Sequence, residues 1–91
     1  MKIILLNTFK HQFKKPMPLN LFYDAESNMN EIINRDLALF AYGVSYTDAL
    51  VDLDVELEGH ILSFQKYPSE KHSLDSLILR DKLLEYIDFN Y

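Results

Sequence analysis

The feature that most constrains the fold is a series of apolar residues spaced by three and four positions in the middle of the chain. The series comprises Tyr46, Leu50, Leu53, Leu57, Ile61 and Phe64. At about 100° per residue in an α-helix, these side chains share an arc of roughly 80° on one face. The spacing therefore predicts an amphipathic helix over about residues 45–64, with this face packed against another layer of the protein.

The same segment also fits a strand, because Val51–Glu58 alternates apolar and acidic residues without a fault. Such alternation is typical of a half-buried strand. Three observations favour the helix. Ser45 precedes Asp48 by three residues, as in a capping box; acids lie in the early turns, where the helix dipole favours them; and Ala, Leu and Glu outnumber β-branched residues. We predict a helix that continues through Gly59.

Short apolar stretches separated by turn-forming residues precede this helix. Their approximate positions are 2–9, 19–23, 29–33 and 37–42. Asp24–Asn28 and Asn34–Asp36 contain residue types that bond their own backbone in tight turns, and Gly43 closes the last stretch. Pro16 and Pro18 indicate either the beginning of the second strand or a strand at the edge of the sheet. The pattern predicts an antiparallel meander of short strands.

A second helix is predicted after a connection that contains Pro68. It begins at Ser73, a suitable N-cap, and ends near residue 88. The aromatic end of the chain, Tyr86–Tyr91, is expected either to pack back on the sheet or to form an interface, and we favour the first. The predicted fold class is α+β: an antiparallel three- to four-stranded sheet followed by one long helix packed on it and a short C-terminal helix (β-β-β-β-α-α). A chain of 91 residues has room for a single domain, 1–91, with the sheet over about 2–42.

The formal net charge of −5 is unevenly distributed along the chain. Residues 1–20 hold four lysines and no acid, whereas residues 21–64 hold nine acids and one arginine. An acidic surface repels nucleic acid and favours a basic partner. The basic segment Lys10–Lys15, with Phe13 among its cations, resembles a small nucleic-acid patch, but we favour a solvated hairpin loop. Direct nucleic-acid binding is therefore not expected.

Nothing in the sequence supports catalysis strongly. The chain has no cysteine and only two glycines, and neither Ser45 nor Ser73 stands in a G-x-S-x-G setting. Glu56 and His60, four residues apart on the predicted helix, would supply only half of a metal site. We expect no enzymatic activity, no metal and no cofactor. A metal-dependent enzyme that uses the acidic helix is a remote alternative.

No apolar run has the length of a membrane span, and the longest is Leu37–Val44. The apolar run near the start ends at Asn7, short of what a signal peptide needs. A cytoplasmic protein is predicted, and the lack of cysteine agrees with a reducing compartment.

The order of these elements resembles the small HicB-like antitoxin domain. The residues that carry the resemblance are Tyr23-Asp24 before the hairpin turn, Tyr42-Gly43 at the end of the sheet, Ser45 as the cap, and Asp48-Ala49-Leu50 at the start of the helix. The resemblance covers about residues 17–88, including a closing helix over Ser73–Ile87. Asn34–Leu37 replaces the family's proline-glycine turn, and Thr47–Asp48 replaces its usual acid pair. Family members bind operators through a helix-turn-helix or ribbon-helix-helix extension, which we do not find in these residues, so operator binding is not expected.

The resemblance implies a non-catalytic protein that neutralises a small basic RNA-cleaving toxin by covering its active surface. The side chains expected to face this partner are Asp48, Asp52, Val55 and Glu56, while Tyr46, Leu50, Leu53 and Leu57 hold the helix on the sheet. The alternative is a small self-associating interaction domain without a toxin partner, in which an edge strand and the aromatic C-terminus build the contact. A homo-oligomer is expected.

Overall fold

The computed structural model of the chain describes residues 1–66 and 73–89. Its elements are β1 (Lys2–Asn7), β2 (Gln12–Asp24), β3 (Met29–Asn34), β4 (Leu39–Gly43), α1 (Tyr46–Lys66) and α2 (Leu74–Leu84). The four strands form one antiparallel sheet in the order β1-β2-β3-β4. The predicted α+β class and element order are therefore confirmed. The connection predicted at Pro68 lies outside the described residues.

The largest departure from the predicted elements is β2, which begins at Gln12 and includes most of the segment expected to be a solvated loop. Phe13 is buried in the core, and the Lys14 backbone N–H donates to the Tyr86 carbonyl at 2.6 Å. The prediction of a solvated hairpin loop over Lys10–Lys15 was wrong from Gln12 onward, because the burial of one aromatic side chain outweighs the polar residues around it. The β1–β2 turn is shorter and lies at residues 8–11.

Pro16 and Pro18 lie inside β2 at positions that need no sheet N–H. Leu21 exchanges backbone hydrogen bonds with Met1. Because backbone groups alternate between the two sides of a strand, those of Pro16 and Pro18 face away from β1. On that side β3 ends at Asn34, whose side-chain amide donates to the Pro18 carbonyl at 2.8 Å. Proline therefore replaces N–H groups that would have no strand partner.

The core lies between one face of the sheet and α1, and the C-terminal segment closes one end. Its buried side chains include Met17, Leu19, Ile32, Leu37, Leu39, Ala41, Leu53, Leu57, Ile61, Leu83 and Ile87. The predicted contacts of Leu53, Leu57 and Ile61 are confirmed. Tyr46, by contrast, is 39% exposed, and Ala49 takes its place because the first turn of α1 lies close against Gly43.

Both predicted N-caps are present. The Asp48 backbone N–H donates to the Ser45 hydroxyl at 3.0 Å, and the Ser76 N–H donates to the Ser73 hydroxyl at 3.2 Å. Each bond satisfies a backbone donor that has no partner within its helix.

α2 ends at Leu84, earlier than predicted, because the residues after it turn inward. The Phe89 ring stacks on Phe64 with centroids 5.7 Å apart, and Ile87 is buried. The aromatic C-terminus was expected to pack back on the sheet; as far as residue 89 it contacts β2 through Tyr86 but packs on α1 through Phe89. Within the described chain, α1 and α2 lack the combination of length and apolar character that a membrane crossing requires.

Candidate protein-binding surfaces

The solvent-exposed face of α1 carries an apolar stripe. Val51, Val55 and Leu62 are 50%, 61% and 56% exposed, and they fall within an arc of about 40° on the helix. We call these three residues the α1 stripe. Gly59 lies beside it with open space where a side chain would be. The stripe lies opposite the buried face of the helix, so α1 is apolar on two sides.

The acids predicted to face a partner lie on one side of the α1 stripe and turn progressively away from it, so that Asp48 alone of the three borders it. Asp48 is exposed, whereas Asp52 and Glu56 are half-buried. Steps of four residues turn the series by about 40° each, so it rotates from solvent towards β4. Among the described residues, none of the three acids forms an ion pair. The predicted set is therefore brought together on one side of α1, with Val55 as its apolar member.

Two side chains of α1 cover the open edge of β4. The Asp52 carboxylate accepts a hydrogen bond from the Tyr42 backbone N–H at 2.9 Å. His60 Nε2 lies 2.9 Å from the Ala38 carbonyl oxygen and donates to it, because a carbonyl only accepts. A guarded edge resists pairing with another strand. Asp52 thus has a structural role that the sequence pattern did not indicate.

The opposite edge of the sheet, β1, has no such cover in the described part of the chain. Met1 exchanges hydrogen bonds with Leu21 of β2. By the alternation of an antiparallel ladder, the N–H and C=O groups of Lys2 and Ile4 point away from β2 into solvent. The side chains of Ile4 and Leu6 are 67% and 64% exposed. An open edge with apolar side chains is a template for strand pairing.

A buried polar cluster, missed at the sequence level, joins the β1–β2 turn to α1. Asp54 is only 3% exposed, and one of its oxygens accepts a hydrogen bond from the Thr8 hydroxyl. The His11 backbone N–H donates to the Thr8 hydroxyl oxygen at 3.0 Å. The ring nitrogen His11 Nε2 lies 2.9 Å from a Glu58 carboxylate oxygen. Asp54 falls on the helical arc next to Ile61, which was the available signal for its burial.

Two lysines of the basic segment, Lys14 and Lys15, lie at the start of β2 and pair with acids of the C-terminal segment. Lys14 Nζ lies 2.7 Å from an Asp88 carboxylate oxygen, and Lys15 Nζ lies 3.4 Å from Glu85. Lys15 also lies over the Tyr86 ring, 4.6 Å from its centroid. These two cations therefore face acids and an aromatic ring of the C-terminal segment rather than an open basic patch.

No group of three or more histidine, cysteine, aspartate or glutamate side chains in residues 1–66 and 73–89 is arranged to hold a metal ion. His60 of the predicted half-site is engaged by the Ala38 carbonyl. Comparison of the chain with protein-family models, with curated proteins and with solved structures found no match. The candidate sites are the α1 face and the β1 edge, which expose apolar side chains.

Proposed function

We propose that this chain is a non-catalytic protein-binding module that binds a basic protein through the exposed face of α1. The observation that carries the proposal is the α1 stripe, which is apolar, exposed and flanked on one side by carboxylates without described cation partners. An apolar centre with a polar border is typical of protein-binding surfaces. The function that fits this surface is neutralisation of a small basic RNA-cleaving toxin, as the resemblance to HicB-like antitoxins implies.

The charges on α1 indicate the chemistry of the partner. Asp48 is exposed and Glu56, two helical turns further along α1, is half-buried. Lysine or arginine side chains at the rim of a partner would meet these carboxylates, which form no ion pair with the described residues. Such charges steer association and choose between partners more than they add affinity. Val55 lies at the centre of the stripe and supplies apolar area, the larger contribution to affinity at an interface.

Asp52 contributes to this field from a fixed position. Its carboxylate is held by the Tyr42 N–H, and replacing it would disturb the β4 edge as well as the binding face. The acids that separate binding from folding are therefore Asp48 and Glu56. A matched pair of acids elsewhere on the molecule is Glu26 and Asp75, both exposed.

The binding face is tested by calorimetry with a synthetic amphipathic peptide of lysine and leucine. Asp48→Lys with Glu56→Lys should weaken binding at least tenfold. Glu26→Lys with Asp75→Lys changes the net charge equally and should leave affinity within about twofold. Equal weakening by both pairs would mean that the peptide senses only overall charge, which contradicts a defined face on α1.

The toxin assignment needs a separate test. We would purify the product of the reading frame adjacent to this one and measure its cleavage of RNA with and without the chain. The proposal expects inhibition by the wild-type chain and weaker inhibition by Val55→Glu, which keeps the acidic field but removes apolar contact. Cleavage unaffected by the chain contradicts a toxin-neutralising role, whereas the peptide experiment decides separately whether the α1 face binds proteins.

A further inference from the structure

One edge of the sheet, β4, is covered by side chains of α1, whereas the other edge, β1, is open in the described part of the chain. Asp52 of α1 accepts from the Tyr42 N–H of β4, and His60 donates to the Ala38 carbonyl in the turn before it. By contrast, β1 presents the N–H and C=O groups of Lys2 and Ile4 to solvent. Natural edge strands are usually blocked by charges, prolines or bulges. In β1 the stretch Ile3–Leu5 contains neither a charge nor a proline, and the register shift of the β1–β2 pair lies after it, between Leu5 and Asn7. The edge is therefore regular and open to a strand over Lys2–Leu5.

We propose that β1 pairs antiparallel with β1 of a second copy of this chain, which joins the two sheets across a two-fold axis. This inference goes beyond the α1 face and is independent of it. Antiparallel edge pairing requires a two-fold axis perpendicular to the sheet, which places both α1 helices on the same side of the joined sheet. The open edge is thus occupied by β1 of the second copy, running in the opposite direction.

The alternation of backbone groups determines the register. Ile4 points its backbone groups outward, so it can face Ile4 of the second copy as a hydrogen-bonded pair on the axis. This register places Lys2 opposite Leu6 at both ends of the ladder. It pairs more of the strand than a shift centred on Ile3 or Leu5.

The charges of β1 fit a second copy in this register. Lys2 is the sole charged residue within Lys2–Asn7, and because it faces Leu6, no like charges meet across the axis. The exposed side chains of Ile4 lie against each other, and each Leu6 lies against the alkyl stem of Lys2. Apolar area that is exposed in one chain is thereby covered by the same area of the other.

The chain has no cysteine, so a single introduced thiol reports the register directly. At an antiparallel hydrogen-bonded pair the Cα atoms lie about 5.5 Å apart, within the range of a disulfide. Ile4→Cys should therefore give a covalent dimer under mild oxidation. Leu6→Cys should not, because the two copies of residue 6 would lie about four residues apart along the ladder, roughly 14 Å.

Light scattering after size exclusion on the full chain, from micromolar to millimolar concentration, measures the association itself. The wild-type chain should be a dimer. Ile4→Lys places two ammonium groups on the axis and should yield a monomer. Val44→Lys is the matched control, since Val44 is 66% exposed against 67% for Ile4, and it should remain dimeric.

Three results would overturn the proposal. The first is a wild-type monomer throughout the concentration range, which would mean that a second copy does not pair with the β1 edge. The second is efficient crosslinking of Leu6→Cys with none of Ile4→Cys. The third is a dimer that Val55→Lys dissociates and Ile4→Lys does not, which would place self-association on α1. Circular dichroism of each variant shows whether the monomer fold is retained, and the Ile4→Cys crosslink does not depend on the lysine variants.

Discussion

The Thr8 hydroxyl donates a hydrogen bond to the buried Asp54 carboxylate, which ties the β1–β2 turn to the middle of α1. The two residues are far apart in sequence, and both are buried. A buried carboxylate is costly unless it is hydrogen-bonded. The other Asp54 oxygen has no hydrogen-bond partner among the described residues, so the Thr8 bond is the main compensation that the structure shows for this charge.

Removing the Thr8 hydroxyl should therefore destabilise the fold more than an average hydrogen bond would suggest. We expect Thr8→Val to lower the free energy of unfolding by about 1–3 kcal/mol, because the Asp54 carboxylate loses its donor. Urea denaturation followed by circular dichroism measures the change. Adding Asp54→Leu to Thr8→Val should recover part of the loss, since no buried charge is then left unpaired. Losses that simply add in the double variant would show that the pair is not coupled.

The close approach of α1 to the end of β4 depends on Gly43. A Cβ atom at Gly43 would lie 2.3 Å from the Ala49 backbone N, and a backbone neighbour cannot move as a flexible side chain can. We expect Gly43→Ala to destabilise the fold by about 1–3 kcal/mol. The matched change is Gly59→Ala in mid-helix, where the added methyl meets nothing within 4 Å, and it should stabilise by about 0.5–1 kcal/mol. Equal effects in thermal unfolding would contradict this difference.

Local patterns in the sequence were sufficient to predict the helix layer of this fold. Ser45 and Ser73 cap their helices as expected, since capping depends on residues within one turn. Leu53 and Leu57 are buried because helical spacing alone places them on the packed face. The alternating pattern of Val51–Glu58 did not lead to a strand, because the longer helical spacing around it decided the outcome.

The features that the sequence could not provide depend on contacts between distant segments. β2 begins earlier than predicted because Phe13 is buried and the Lys14 backbone N–H donates to the Tyr86 carbonyl. Neither contact can be read from the local sequence pattern. Asp52 and Asp54 look alike in sequence, yet one guards the β4 edge and the other is buried against Thr8. Charge counting placed an acidic face on α1 but could not separate acids with structural partners from those without.

The difference between an acid with a structural partner and one without can be measured by comparing Asp52 with Asp48. Asp52→Ala leaves the Tyr42 N–H without its acceptor and should lower the free energy of unfolding by about 0.5–1.5 kcal/mol. Asp48→Ala removes an equal charge at an exposed position and loses the interaction of a first-turn carboxylate with the helix dipole, which is worth about 0.3–0.5 kcal/mol once salt screens it. Urea denaturation of the two variants under identical conditions compares them. A larger loss of stability for Asp48→Ala than for Asp52→Ala would contradict the stabilising role that we give to Asp52.

The turn between β3 and β4 contains an alanine whose backbone conformation suits glycine better. Ala38 has a φ of 52°, in the left-handed region where a Cβ atom costs about 1–2 kcal/mol. Glycine removes this cost but loses about 0.5–1 kcal/mol of conformational entropy on folding. We therefore expect Ala38→Gly to stabilise the fold by up to about 1 kcal/mol, seen as a higher melting temperature in circular dichroism.

Ala25 provides the comparison for this change, because it lies in the β2–β3 turn, is exposed and does not have a positive φ. Ala25→Gly gains no relief of strain there and should lower the melting temperature slightly through the added entropy of the unfolded chain. Ala38→Val should act in the opposite direction to Ala38→Gly, since a β-branched side chain tolerates the left-handed region least. A melting temperature for Ala38→Gly at or below that of Ala25→Gly would show that the Ala38 conformation carries no strain.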